Sequence, residues 1–312
     1  MTESGTTASA TTTCGTAESE PAADSGTAAS AETPLATTAS ETVPATEQGW
    51  LDRNRANWDD RVAVHAASDF YDLAGFRAGA STLRPFEPAE LGDVAGRSLL
   101  HLQCHMGQDT LSWACRGAKV TGLDFSVPAV EVGTRLAAEI GLADRARFVV
   151  ADVHDAVRAL AGERFDVVYT GLGALGWLPD LTRWARVASS LLAERGVLYL
   201  VEFHPFTDML DEEGRTVERD YFTTSGQAWD EPYTYTDGPP LTRTVSIQWD
   251  HTLGEVITAL GTVGLRVEFL HEHDATAFER FSVLERGEHG EYRFPAGHPR
   301  VPLMYSLRAS RP

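Results

Sequence analysis

His101-Leu102-Gln103-Cys104-His105-Met106-Gly107-Gln108-Asp109-Thr110 joins an apolar run to a helical one. Ser98–Gln103 (SLLHLQ) reads as a strand, and Thr110–Arg116 has helical spacing that stops at Gly117. Gly107 is the one glycine at the turn, and seventeen residues later Asp124 closes a second strand, Lys119–Asp124 (KVTGLD). A tight turn followed by an acid-ended strand is the geometry of an adenosine-binding βαβ unit. The turn lets a ligand approach backbone, and the acid accepts hydrogen bonds from ribose hydroxyls. A third strand, Arg147–Asp152 (RFVVAD), ends on Asp152, whose carboxylate is placed to accept a hydrogen bond from an adenine amino group. A hydride-transfer fingerprint would be G-x-G-x-x-G. Here Gln103 and His105 precede Gly107, and without a second close-approach glycine a pyrophosphate fits poorly. The turn therefore suits an adenosine ligand without a diphosphate.

Outward from this unit the alternation continues. Pro128–Ile140 is a helix closed by Gly141, Phe165–Thr170 a strand, Trp184–Leu192 a helix and Gly196–Glu202 a strand. Such spacing predicts an α/β fold with a parallel sheet and right-handed crossovers. After Glu202 the rhythm breaks. It resumes with a helix at Thr252–Leu260, a strand at Leu265–His271 and a last strand at Val301–Arg308. No internal repeat is found.

The 312 residues are 43% hydrophobic and 23% charged, ordinary for a globular chain. A net charge of −19 argues against nucleic acid and anionic membrane surfaces as partners. No apolar run reaches transmembrane length, the start lacks a signal-peptide pattern, and three cysteines (Cys14, Cys104, Cys115) make no disulfide framework, so a cytoplasmic location is expected. Residues 1–48 hold thirteen Thr, eleven Ala, six Ser and seven acids without a Lys or Arg, and are expected to be a disordered tail. The division expected is this tail, a helical cap over 49–95, and a domain over 96–312 with a lid insertion at about 205–250.

HLQCHMGQDT and the following Gly122-Leu123-Asp124-Phe125-Ser126 resemble the class I S-adenosylmethionine-dependent methyltransferases. Their first motif usually reads D/E-x-G-x-G-x-G; here it is His101-x-Gln103-x-His105-x-Gly107. A bacterial small-molecule, natural-product subset is similar in this departure, with L-Q-C-H-x-G-Q-D-T followed by G-x-D-F-S. The resemblance runs from about Asn54 (NRANWDDRV) to the final SLRA, outside the tail and parts of 205–245. It implies a Rossmann-like, seven-stranded, mostly parallel sheet with helices on both faces, its last strand antiparallel beside the sixth. It also implies S-adenosylmethionine as cofactor. Gln103, His105, Gly107, Thr110 and Ser126 belong to the two motif segments. Asp124 would hold the ribose and Phe125 flank the adenine; Asp152 and Val153 would hold the adenine edge, and Thr170 and Gly171 lie near the methionine part. Helices from 50–90 would cover the cofactor, with Trp58 and Tyr71 as candidate lid contacts that bind the substrate.

Glu202-Phe203-His204-Pro205 follows the fifth strand, on the carboxyl edge where ligands bind in open α/β sheets. Glu202 ends an apolar run, so desolvation can raise its pKa toward that of a base; His204 stands beside it. Trp249-Asp250-His251-Thr252 opens the next helix, where the dipole favours a neutral His251, a competing base. Six aromatics between 221 and 249 (Tyr221, Phe222, Trp229, Tyr233, Tyr235, Trp249) read as an apolar lid, with Tyr221 and Trp249 on the acceptor side. His271-Glu272-His273 lacks a third ligand at characteristic spacing, so no metal is expected. H-E-x-x-H and G-x-S-x-G are absent, against a zinc protease and a serine hydrolase. The expectation is methyl transfer to a small, largely apolar or aromatic acceptor, on oxygen or nitrogen by default. The alternatives are carbon methylation of an alkene such as a prenyl diphosphate, with Glu202 as base, and a non-catalytic adenosine-binding module. Oligomeric state stays open.

Overall fold

Seven apolar runs assemble into one sheet. A computed structural model describes residues 37–38 and 46–312, apart from Thr224 and His289. The strands are β1 (Ser98–Leu102), β2 (Lys119–Asp124), β3 (Ala146–Val150), β4 (Phe165–Thr170), β5 (Leu192–Phe203), β6 (Arg266–His273) and β7 (Met304–Ser310). Their spatial order is β3-β2-β1-β4-β5-β7-β6. Pairing is parallel from β3 through β5, while β7 runs antiparallel to both neighbours, β5 and β6. The last strand therefore enters between the fifth and sixth, as expected. It starts three residues later than the apolar run suggests, at Met304, although Leu303 already bonds to His273 O and His204 N on either side.

Side chains alternate across the sheet with the strand period of two. Leu100, Leu102, Leu123, Val168, Leu198 and Leu200 pack on one face beneath α7 (Leu181–Leu191) and α8 (Leu253–Thr262). Leu99, Val120, Val167, Tyr169, Val197 and Tyr199 pack on the other, with Leu111 and Trp113 of a helix at Gln108–Cys115 and Ala129, Val132 and Leu136 of one at Val127–Glu139. Burial on both faces is why these runs read as nearly continuous apolar stretches.

Ahead of the sheet runs α1, Glu47–Ala67, started by a Thr46 side chain that accepts from Gly49 N. Residues 46–48 of the expected tail thus belong to α1's start, and Thr37–Thr38 pair with Trp229–Asp230; positions 1–36 and 39–45 lie outside the described residues. The insertion after β5 carries an antiparallel hairpin, Gln227–Asp230 with Val245–Gln248, which packs on α1. The Asn54 side chain donates to Ile247 O (2.8 Å) and accepts from Ile247 N (2.7 Å). Asn57 donates to Arg243 O, and Asp60 accepts from the backbone N–H groups of Thr242 and Arg243. Cap and insertion are therefore one stitched cover over the carboxyl edge of the sheet. A second insertion, unanticipated, forms a small three-stranded sheet (275–276, 285–286, 292–293) between β6 and β7.

Candidate functional site

The turn at 103–107 is built from three left-handed residues: Gln103 (φ 57°), His105 (φ 48°) and Gly107 (φ 77°). Only Gly107 adopts this region freely; for the other two it costs about 1–2 kcal/mol each. A Cβ on Gly107 would sit 2.3 Å from the Phe148 ring, so the glycine also serves close packing against β3's side chain. The turn is braced by Asp124, whose Oδ2 accepts from His105 N (2.8 Å) and Oδ1 from Ser126 N (2.9 Å). A carboxylate has about four acceptor sites, so two remain for a ligand. Burial raises the Asp124 pKa to about 6, against the lowering effect of those N–H donors.

A narrow cleft lies at this edge, lined by Gln103, Asp124, Phe125, Asp152 and Val153 from the sheet side. Trp50, Leu51 and Asn54 of α1 cover it, and Trp177 and Leu178 close it. Asp152 uses Oδ1 to cap the 153–155 turn through His154 N, which leaves Oδ2 for a ligand. The carboxylates of Asp124 and Asp152 on neighbouring strand ends suit a ribose diol and an adenine amine. Two buried polar atoms at the same edge, Gln103 Oε1 and Thr170 Oγ1, have no protein partner, while Gln103 Nε2 donates to Ala174 O. The donor set and unpartnered acceptors fit the nucleoside and amino-acid halves of S-adenosylmethionine.

Other expected contacts sit behind the cleft. Thr110 is buried, its hydroxyl against His101 Nδ1 (2.8 Å). Ser126 caps the following helix and donates to Asp59 of α1 (2.6 Å). Gly171 faces His101: a Cβ there would come within 3.0 Å of its Nε2. The His105 ring turns away into a cluster with His65 (Nδ1 to Nε2, 2.9 Å), Trp58 and Tyr71. Burial keeps both imidazoles neutral, His105 at about 3 and His65 at about 2, assisted by the nearby Arg61 cation. Trp58 and Tyr71 thus belong to the cover's interior, Tyr71 sharing its hydroxyl with Tyr235 (2.6 Å).

Glu202 needs correction as a base. Its Oε1 accepts from Gly173 N (2.6 Å) and Phe203 N (2.9 Å), and its Oε2 from Ala174 N (2.9 Å) and Leu175 N (3.1 Å). Two donors on each oxygen fill the lone pairs. Burial raises its pKa to about 7, as expected, but the group clamps the loop after β4. His204 is also engaged: Nδ1 accepts from Phe206 N (3.1 Å) and Nε2 lies 3.0 Å from Glu272 Oε1. His251 differs. Its Nε2 meets Leu178 O (2.7 Å) and so carries the hydrogen, and burial lowers its pKa, so the neutral ring holds a lone pair on Nδ1.

His251 lines a second, small cavity with Asp208, Arg219, Asp220, Tyr221 and Asp250. The turn ending at Leu178 separates the two cavities: Leu178 lines the first, and His251 on its carbonyl lines the second. The insertion's aromatics do not converge as an apolar lid. Trp249 packs edge-on against Trp50, Tyr221 OH accepts from Leu253 N, and Phe222 and Tyr233 are exposed. His271 bonds Glu90 and His273 bonds Ser306 while stacking on Phe86.

Sequence reasoning missed Trp50, Asn54, Arg61, His65, Trp177 and Leu178. For the first four a signal existed. Positions 50, 54, 57, 61 and 65 form one stripe of α1, and it is buried although mostly polar.

Residues 99–196, roughly a third of the chain, match a family model described as a methyltransferase domain. No curated protein sequence matches. Among solved structures, the chain is similar to the CcbJ methyltransferase from Streptomyces caelestis (17% identity, 82% of this chain and 98% of that one, TM-score 0.54). It is also similar to an S-adenosylmethionine-dependent methyltransferase from Mesorhizobium loti (22% identity, 75% and 100%, TM-score 0.51). At these identities the likeness is one of fold.

Proposed function

We propose, from the premise that residues 99–196 form an S-adenosylmethionine-dependent methyltransferase domain, that the chain methylates an oxygen or nitrogen of a small polar acceptor held beside His251. The observation that carries this reading is the cavity of Asp208, Asp220, Asp250, Tyr221 and His251 across the Leu178 turn from the nucleoside cleft. The lining is polar and charged, with Asp208 paired to Arg280 and Asp250 to Arg219 and Gln227, and it favours an acceptor with N–H or O–H groups over a bare hydrocarbon, which would displace water from those groups without replacing its hydrogen bonds. The apolar acceptor suggested by the insertion's aromatic content loses its support, because those rings are used in packing or lie exposed. Carbon methylation with Glu202 as base loses its support with the filling of that carboxylate's lone pairs.

When bound, S-adenosylmethionine supplies an electrophilic methyl carbon on a sulfonium. The chain's own residues bind, orient and move a proton. Asp124 and Asp152 accept hydrogen bonds from the nucleoside, and Glu202 fixes the loop from Gly173 to Leu175 through its amides. His251 donates through Nε2 to Leu178 O and takes the acceptor's proton at Nδ1, beside the negative charges of Glu255 and Asp250 that support the resulting cation. Alignment of the acceptor is the larger contribution, since the displacement is a single step.

The test is turnover with methyl-labelled cofactor on matched panels of small amines, phenols and alcohols, and alkenes. Label should appear on nitrogen or oxygen. Label confined to alkene carbon would overturn the acceptor assignment.

A further inference from the structure

Arg61 is the chain's most deeply buried cation to lack a close carboxylate partner among the described residues. It projects from α1, is 3% exposed, and its nearest acid oxygen, Glu231 Oε2, is 3.9 Å away, beyond hydrogen-bond reach. Its Nε has no partner. What surrounds the guanidinium is aromatic: it lies 5.2 Å from the Trp58 ring centroid and 5.6 Å from that of Trp177. Cation–π attraction offsets only part of the cost of removing a charge from water, so a buried guanidinium with unused donors is a receptor for an anion.

Trp177 also lines the nucleoside cleft, together with Gln103. Arg61 and the cleft thus share Trp177 as a neighbour. With adenine at Asp152 and ribose at Asp124, the cofactor's amino-acid tail extends away from β3, toward the end of β1 and the loop after β4. Gln103 and Trp177 stand there. Gln103 presents a buried carbonyl oxygen without a donor, suited to an ammonium. Arg61 presents a buried Nε–H without an acceptor, suited to a carboxylate.

Resting on the cofactor reading above, we infer that Arg61 receives the carboxylate of the cofactor's amino-acid tail, across Trp177 from the nucleoside cleft. The bound carboxylate would give a close partner to a charge that the fold pairs only loosely, with Glu231 at 3.9 Å. Selectivity follows: the site distinguishes S-adenosylmethionine from nucleosides that lack an amino-acid tail, which supply no partner for Arg61.

Equilibrium titrations with three ligands test this without turnover: S-adenosylhomocysteine, its carboxamide and 5′-methylthioadenosine. The native protein should bind S-adenosylhomocysteine about 10-fold or more tighter than the carboxamide. Arg61→Met should lose about that factor for S-adenosylhomocysteine and bind the carboxamide and methylthioadenosine within about twofold of the native protein. Equal weakening for all three ligands, or an unchanged affinity for S-adenosylhomocysteine, would overturn the inference. If Arg61→Met does not fold, the native protein's preference for carboxylate over carboxamide still decides, and Arg61→Lys, which keeps charge but not the planar fork, should weaken S-adenosylhomocysteine alone. A native protein that binds none of the three refutes the cofactor reading instead.

Discussion

Asp124 serves two tasks with one carboxylate, bracing the turn through the His105 and Ser126 amides and facing the cleft with the lone pairs that remain. Asp124→Ala should weaken S-adenosylhomocysteine by roughly 1.5–3 kcal/mol in calorimetry, the value of charge-assisted hydrogen bonds. The pH dependence has a definite sign. Burial holds the folded pKa at about 6, above the ordinary carboxylate value of 3.8. Ribose hydroxyls donate to the ionised form, so affinity is full above pH 6 and falls as pH drops through it; Asp124→Asn should flatten that profile. The same shift opposes folding, in that the stability Asp124 contributes is present below 3.8 and lost as pH rises through 6. His251 and Glu202 separate by a different readout. His251→Ala should leave cofactor affinity intact and lower single-turnover rates by roughly 10²–10⁴-fold. Glu202→Gln turns an amide N–H₂ toward backbone N–H groups; it should lower stability by about 1–3 kcal/mol in denaturant unfolding, with cofactor affinity falling as the 173–175 loop loosens. A Glu202→Gln protein of native stability and lost turnover would return the base to Glu202.

At the level of elements, the apolar runs and their turn residues made the sheet legible: each strand of β1–β5 lies within a few residues of where its sequence pattern puts it, because period-two burial and glycine stops are local properties. α1 was less legible. Its buried stripe of Trp50, Asn54, Asn57, Arg61 and His65 has no apolar period, since it faces the hairpin's backbone and a cluster of rings and charges. Asn54 is the clearest case. Its amide acts as one more rung of the hairpin, donating to and accepting from Ile247. Asn54→Leu would strand a buried N–H and a buried C=O at a cost of about 2–5 kcal/mol. Hydrogen exchange should accelerate over 245–248 well before the sheet strands respond, and uniform acceleration across the molecule would count against α1 and hairpin forming a separable cover.

On the scale of the whole molecule, α1 and the loop after β4 cover a cleft floored by β1–β3, so a ligand bound there would touch both layers. Saturating S-adenosylhomocysteine at about 100-fold its Kd should therefore add about 2.7 kcal/mol to the unfolding free energy, seen as a rise in Tm of several degrees. The sequence alone determined the α/β architecture, the turn at Gly107 and the two acid-ended strands, because spacing along one chain dictates which residues share a strand end. It also placed Glu202 and His204 at the carboxyl edge and His251 at the start of a helix. Which of them has a lone pair to offer was decided only by tertiary contacts: the amides of a loop thirty residues upstream fill Glu202, Glu272 and Phe206 engage His204, and the Leu178 carbonyl assigns the hydrogen of His251. The same holds for Arg61. Its charge is written in the chain, but its lack of a close partner arises from α1, the insertion and the Trp177 turn meeting in space, where burial removes water and leaves its Nε–H unmet.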